Sequence, residues 1–114
     1  MRTPEIETAL DEIENKNYAA ALRLLAPLAE AGSPEAICNL ATLYQCGWGV
    51  EVDGKRAVAL YEQVAGLGIR ERRLSGVASH NLATIYTTGL PGVEPNPQKA
   101  EEYSERAKQL GLEM

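Results

Sequence analysis

Cys38, Cys46 and His80 are the residues of this 114-residue chain whose types best suit covalent or metal chemistry. A thiol and an imidazole within hydrogen-bond reach would make an activated nucleophile. Cys38 and His80, however, occupy equivalent places beside two copies of one hexad. Asn39-Leu40-Ala41-Thr42-Leu43-Tyr44 returns as Asn81-Leu82-Ala83-Thr84-Ile85-Tyr86. Equivalent positions on stacked helices point the same way, and their axes lie ~8–10 Å apart. A hydrogen bond of ~3 Å between them is therefore not expected. Cys38 and Cys46 are separated by ~12 Å along one predicted helix, too far for a disulfide. Two thiols and one imidazole are too few ligands for a zinc site. Gly47-x-Gly49 follows a helix and lacks the third glycine and the lysine of a phosphate loop. The carboxylates fall on solvent faces, away from any apolar pocket that would raise a pKa. The chain is expected to have no catalytic residue, no bound metal and no cofactor.

The hexad belongs to a longer register. Ala36 pairs with Ala78, Gly47 with Gly89 and, after one extra residue, Gly49-Val50-Glu51 with Gly92-Val93-Glu94. A second half-motif recurs three times: Asn17, Ala21, Gly32; Asp53, Ala57, Gly68; Asn96, Ala100, Gly111. Each reads as a helix with its own start and stop. Asn or Asp accepts from the free amides of the first turn, Pro97 costs no hydrogen bond at the first helical position, and glycine takes the left-handed conformation at the end. The alanine four residues in marks a close helix crossing. Thr3-Pro4-Glu5 and Ser33-Pro34-Glu35 open two further helices in the same way. Ile6, Leu10 and Ile13 make the apolar stripe of the first, and Ile37, Leu40, Ala41 and Tyr44 that of the third. Pro27 removes a bond inside the second helix and predicts a kink near Arg23 to Ala26. Ile69-Arg70-Glu71-Arg72-Arg73-Leu74 is inserted before the fifth helix, which is read as starting near Arg70 rather than at Ser75.

These residues resemble a family. Ala36-x-x-x-Leu40-x-x-x-Tyr44-x-x-Gly47-x-Gly49-Val50-x-x-Asp53-x-x-x-Ala57-x-x-x-Tyr61 looks like a Sel1-like repeat, a relative of the tetratricopeptide repeat. A second copy runs from Ala78 to Gly111, with Leu90-Pro91-Gly92 one residue longer and its aromatic, Tyr103, one place earlier than Tyr61. The resemblance implies an all-α fold, an α/α superhelix of about six antiparallel helices in three pairs. It implies one domain over 1–114: a tetratricopeptide-like pair at 3–32, a Sel1-like repeat at 33–68, and another at 69–114 with the extended linker. It also implies a protein-binding role without catalysis.

Composition sets the remaining bounds. The chain is 45% hydrophobic but 5% aromatic, with no Phe, so Leu, Ala, Ile and Val must fill the core. The net charge of −5 and a pI of about 4.9 disfavour nucleic acid, which is bound through Lys and Arg, and an anionic membrane surface. No apolar run approaches the ~18 residues of a membrane span. Met1-Arg2-Thr3-Pro4-Glu5 carries no apolar leader, so a cytoplasmic protein, a monomer or weak dimer, is expected. Trp48, flanked by glycines, is read as a cover over the core between the third and fourth helices rather than as an exposed anchor.

The resemblance implies that the first helix of each pair lines a concave surface. There the third helix offers Cys38, Asn39, Thr42 and Gln45, and the fifth offers His80, Asn81, Thr84 and Thr87. Both rows are uncharged and polar. Amides and hydroxyls that donate and accept suit the backbone of an extended peptide. The alternative for Asn39 and Asn81 is that they bond helix to helix within the stack. The function expected is an adaptor, chaperone or inhibitor binding another protein or peptide; a ligand-binding or enzymatic site hidden in the groove is the alternative.

Overall fold

The computed structural model describes residues 3–111; Met1 and Arg2, read above for a leader, lie outside them. Six α-helices follow one another: α1 (Pro4–Glu14), α2 (Tyr18–Glu30), α3 (Pro34–Cys46), α4 (Gly54–Ala65), α5 (Arg72–Thr88) and α6 (Pro97–Gln109). Each helix packs on its neighbours in sequence, and α3 also meets α5. This is the stacked-pair architecture the repeats predict. Among the described residues no helix is long and apolar enough to cross a membrane.

The helix starts follow from local chemistry. Thr3, Ser33, Asp53 and Asn96 each accept the amide of the residue three places on through a side-chain oxygen. Asn17 does not. Its side-chain amide instead donates to Glu12 Oε1 at 3.4 Å, tying the α1–α2 turn. The helix α2 continues through Pro27 to Glu30. Gly32, Gly68 and Gly111 all carry positive φ, as their end positions require. The insertion forms a 3-10 turn, Gly68–Glu71, that leads directly into α5. The long-helix reading therefore holds, and Ser75 is no cap. It is fully buried inside α5, where its hydroxyl donates to the Ala65 carbonyl at 2.8 Å and accepts the Gly68 amide at 3.1 Å. One side chain thus fixes the end of α4 against the start of α5.

Two apolar clusters form the core. Ile6, Ala9, Ala21, Leu25, Ala36, Leu40 and Leu43 join α1, α2 and α3. Ile37, Ala57, Tyr61, Val64, Ala78, Leu82 and Ile85 are among those joining α3, α4 and α5. The half-buried Ala29, Tyr44 and Leu60 pack against both clusters and make the core continuous. Ala21 and Ala57 are fully buried, whereas Ala100, on the last helix, is half-buried. Among the described residues α6 packs chiefly on α5, so the third copy of the motif is packed on fewer sides.

The loops bind each pair to the one before it. The amides of Asp53 and Asn96 donate to the carbonyls of Tyr44 and Tyr86 at 3.0 and 2.7 Å, closing the same loop in both Sel1-like copies. The Trp48 ring stacks on Tyr18 with centroids 5.4 Å apart, so it covers α2 rather than the gap between α3 and α4, and it stays 38% exposed. The following loop, Leu90–Val93, lies on the first turn of α4, where the Gly54 amide donates to the Pro91 carbonyl at 3.1 Å. A Cβ on Gly54 would fall 2.5 Å from that oxygen and 2.9 Å from Leu90 Cβ.

Two substitutions test this packing. Ala normally favours a helix over Gly by ~1 kcal/mol, yet Gly54→Ala is expected to lower stability by ~1–3 kcal/mol through overpacking. Ala57→Leu should cost a similar ~1–3 kcal/mol, and Ala100→Leu less, because its site is half open. Urea midpoints of the three variants check the ranking.

Candidate functional site

Residues of α1, α3 and α5 and of the turns beside them bound two adjoining clefts. One, of about 380 Å³, is lined by residues that include Thr3, Ile6, Ser33 and Glu71. The other, of about 210 Å³, reaches Leu10, Cys38, Asn39, Thr42 and Val77. Glu35, Arg73 and Leu74 line both, so the two clefts share one wall. Spacing explains who lines the wall. Glu35, Cys38, Asn39 and Thr42 fall at helical intervals on α3, as do Arg73, Leu74 and Val77 on α5.

The residues expected at this surface divide into three groups. Asn39 and Thr42 line the smaller cleft, both half-buried. Asn81 and Thr84 continue the Val77 stripe at spacings of four and seven, and Thr84 and Thr87 are exposed. His80 is half-buried and engaged in interactions of its own. Cys38 and Gln45 depart from the expected open row. Cys38 is buried in the core. Gln45 turns to α4, where its Oε1 accepts the Tyr61 hydroxyl at 2.7 Å. The same phenol oxygen lies 2.8 Å from Thr42 Oγ1. Thr42 therefore has two tasks, one at the helix contact and one at the cleft wall.

Among the described residues neither asparagine bridges two helices. Asn39 Nδ2 donates to the Glu35 carbonyl at 2.9 Å, and Asn81 Nδ2 to the Val77 carbonyl at 3.0 Å, each within its own helix. Thr42, Thr84 and Thr87 also donate to carbonyls four residues back. This pattern leaves both asparagine carboxamide oxygens without a bond to the described residues.

Arg73 was not legible as a groove residue from the sequence. It belongs to the arginine-rich insertion before the fifth helix, to which the sequence assigns no surface. The 3-10 turn and the anchoring of Ser75 extend α5 backwards, which brings Arg73 beside Glu35 along the cleft wall. The spacing of Arg73 four residues before Val77 was the available signal.

Cys38 and Cys46 are both free thiols. Burial pushes the Cys38 thiol up to about 11, against the opposing charge of Arg73 and with a smaller upward push from Glu35. A thiol so placed stays protonated at neutral pH, which removes its nucleophilic form. Burial also raises Tyr61 well above the usual phenol value, with Thr42 opposing. Both groups are neutral when protonated, and both are harder to ionise folded than unfolded. Their linkage contribution is therefore fully present below the unfolded values and is lost as pH rises through the folded ones. Stability should fall from about pH 9 upward. Cys38→Ala should reduce the stability lost between pH 9 and 11 by on the order of 2 kcal/mol. Urea titrations across that range check it. In the native protein at pH 8, an alkylating agent should modify the exposed Cys46 before Cys38, and mass spectrometry should find two adducts after unfolding.

The Sel1 repeat family profile matches residues 13–33, 34–69 and 76–112. The crystal structure of a Sel1 repeat protein from Oxalobacter formigenes superposes with a TM-score of 0.77 at 24% identity, over 94% of this chain and 79% of that one. At that identity the likeness speaks to the fold. Comparison with curated proteins gives no match. With three matched segments spanning most of its length, the chain belongs to the Sel1 repeat family, whose members are generally protein-interaction scaffolds and typically not enzymes.

Proposed function

We infer that this protein is an interaction module that takes an extended segment of another protein along the α1–α3–α5 face. The observation that carries the reading is the pair of adjoining clefts sharing Glu35, Arg73 and Leu74. A peptide along them meets Asn39 and Thr42 on one side and the His80, Asn81, Thr84 and Thr87 row on the other. Gln45 supports the surface indirectly, by holding Tyr61 beside Thr42. The asparagine oxygens, which have no bond among the described residues, can accept amides from a backbone, which requires no particular side chain on the partner. Arg73 and Glu35 add one charge of each sign at the wall, so orientation along the groove has an electrostatic basis. Adaptor, chaperone and inhibitor all use this same act of binding.

The double change Asn39→Ala with Asn81→Ala tests the reading on whichever partner the immobilised protein captures from its source cell. Affinity, measured by calorimetry, should fall more than tenfold, or ~1.4 kcal/mol. The melting temperature should not fall, because each lost bond is local and alanine is the better helix former. Unchanged affinity would place the partner elsewhere on the molecule.

A further inference from the structure

The opposite side of the stack carries a further cleft. It lies between α2 and α4, over α3, and measures about 470 Å³. Ala26, Leu40, Tyr44, Arg56, Leu60 and Gln63 are among its lining residues. It shares no residue with the clefts on the α1–α3–α5 face, so its role does not depend on theirs.

The chain contains the same cleft one repeat later, and there it is filled. Counted from the helix caps, Leu60 corresponds to Tyr103, Arg56 to Lys99 and Ala26 to Glu62; Tyr44 corresponds to Tyr86 and Leu40 to Leu82. In the later copy the Tyr103 ring lies parallel to Tyr86, at 4° and 6.1 Å between centroids. Its hydroxyl donates to Glu62 Oε2 at 3.0 Å. The cation beside the conserved pair of positions is also repeated. Lys99 lies 5.2 Å from the Tyr86 ring centroid and Arg56 lies 5.1 Å from that of Tyr44.

What differs is the cover. Tyr86 is 7% exposed and Leu82 fully buried, whereas Tyr44 remains half-buried and Leu40 is 9% exposed. Leu60 is too short to lie across Tyr44, and Ala26 offers no carboxylate to hold a phenol. The earlier cleft thus keeps the aromatic floor and the cation while lacking the aromatic side chain that completes the later one.

We propose that the α2–α4 cleft receives a tyrosine side chain from a partner protein, stacked on Tyr44 as Tyr103 is on Tyr86. The ring gains an aromatic partner and apolar walls from Leu40 and Leu60. The exposed Glu30 and Gln63 at the cleft offer acceptors for its hydroxyl. Arg56 Nη1 donates to the Tyr44 hydroxyl at 2.9 Å, which fixes the floor ring before the ligand arrives.

N-acetyl-tyrosinamide titrated into isotope-labelled protein is the probe. Amide resonances of Tyr44, Arg56 and Leu60 should shift together, and N-acetyl-leucinamide should bind more weakly. Two variants taken from the later repeat should act in opposite directions. Leu60→Tyr fills the cleft from within and should abolish the shifts. Ala26→Glu, at an exposed position that does not endanger the fold, supplies the acceptor that Glu62 gives Tyr103. It should tighten binding about threefold or more, the worth of one partly exposed hydrogen bond. Shifts centred elsewhere, equal binding of the two amino-acid amides, or no gain from Ala26→Glu would overturn the proposal.

Discussion

The approach of the Leu90–Val93 loop to the first turn of α4 is the contact on which the second half of the molecule depends. The Gly54 amide reaches the Pro91 carbonyl at 3.1 Å because no Cβ stands between them. In a stacked array each unit is stabilised by its neighbours, so the closeness of such contacts sets the spacing of the whole. The preceding loop does the corresponding work on α2, where a Cβ on Gly49 would fall 2.7 Å from Tyr18 Cβ. With the loops seated, the bonds from Asp53 to Tyr44 and from Asn96 to Tyr86 close each helix pair. Those bonds hold the chain beside both tyrosines, which form the floors of the inter-repeat clefts.

The two faces of the stack then acquire different chemistry from the same repeat. On the α1–α3–α5 side, Asn39, Thr42, Asn81, Thr84 and Thr87 bond back to their own helices. The insertion adds the one feature that the repeat does not supply, Arg73 beside Glu35. On the α2–α4 side, the repeat supplies a tyrosine floor and a cation, and a few substitutions decide whether the cleft is filled. The departures from the register, Arg73 on one side and Ala26 and Leu60 on the other, are what distinguish the clefts of successive units.

Local rules made much of the fold legible. The caps at Thr3, Ser33, Asp53 and Asn96, the terminal glycines and the buried Ala21 and Ala57 follow from interactions within a few residues. Where a second element competes, the sequence is ambiguous. Ser75 has the chemistry of a cap, but the Ala65 carbonyl claims its hydroxyl from another helix. Asn17 is drawn to Glu12 across a turn. Trp48 finds Tyr18, thirty positions earlier, and Gln45 finds Tyr61. Of the expected site residues, Cys38, Asn39 and Thr42 all border a cleft, but Cys38 is only 5% exposed because it also belongs to the apolar cluster of α3, α4 and α5. Periodicity identifies a helix face but leaves open which neighbour will cover it.

Native-state hydrogen exchange at the Gly54 amide tests the central claim most directly. If the loop contact couples the repeats, that amide opens only with the cooperative unfolding of the α3–α6 core. Its protection should equal that of the slowest amides in α4 and α5 and should fall with them in dilute denaturant. Exchange at the rate of a frayed helix end, insensitive to denaturant, would contradict it and leave the repeats joined by helix packing alone.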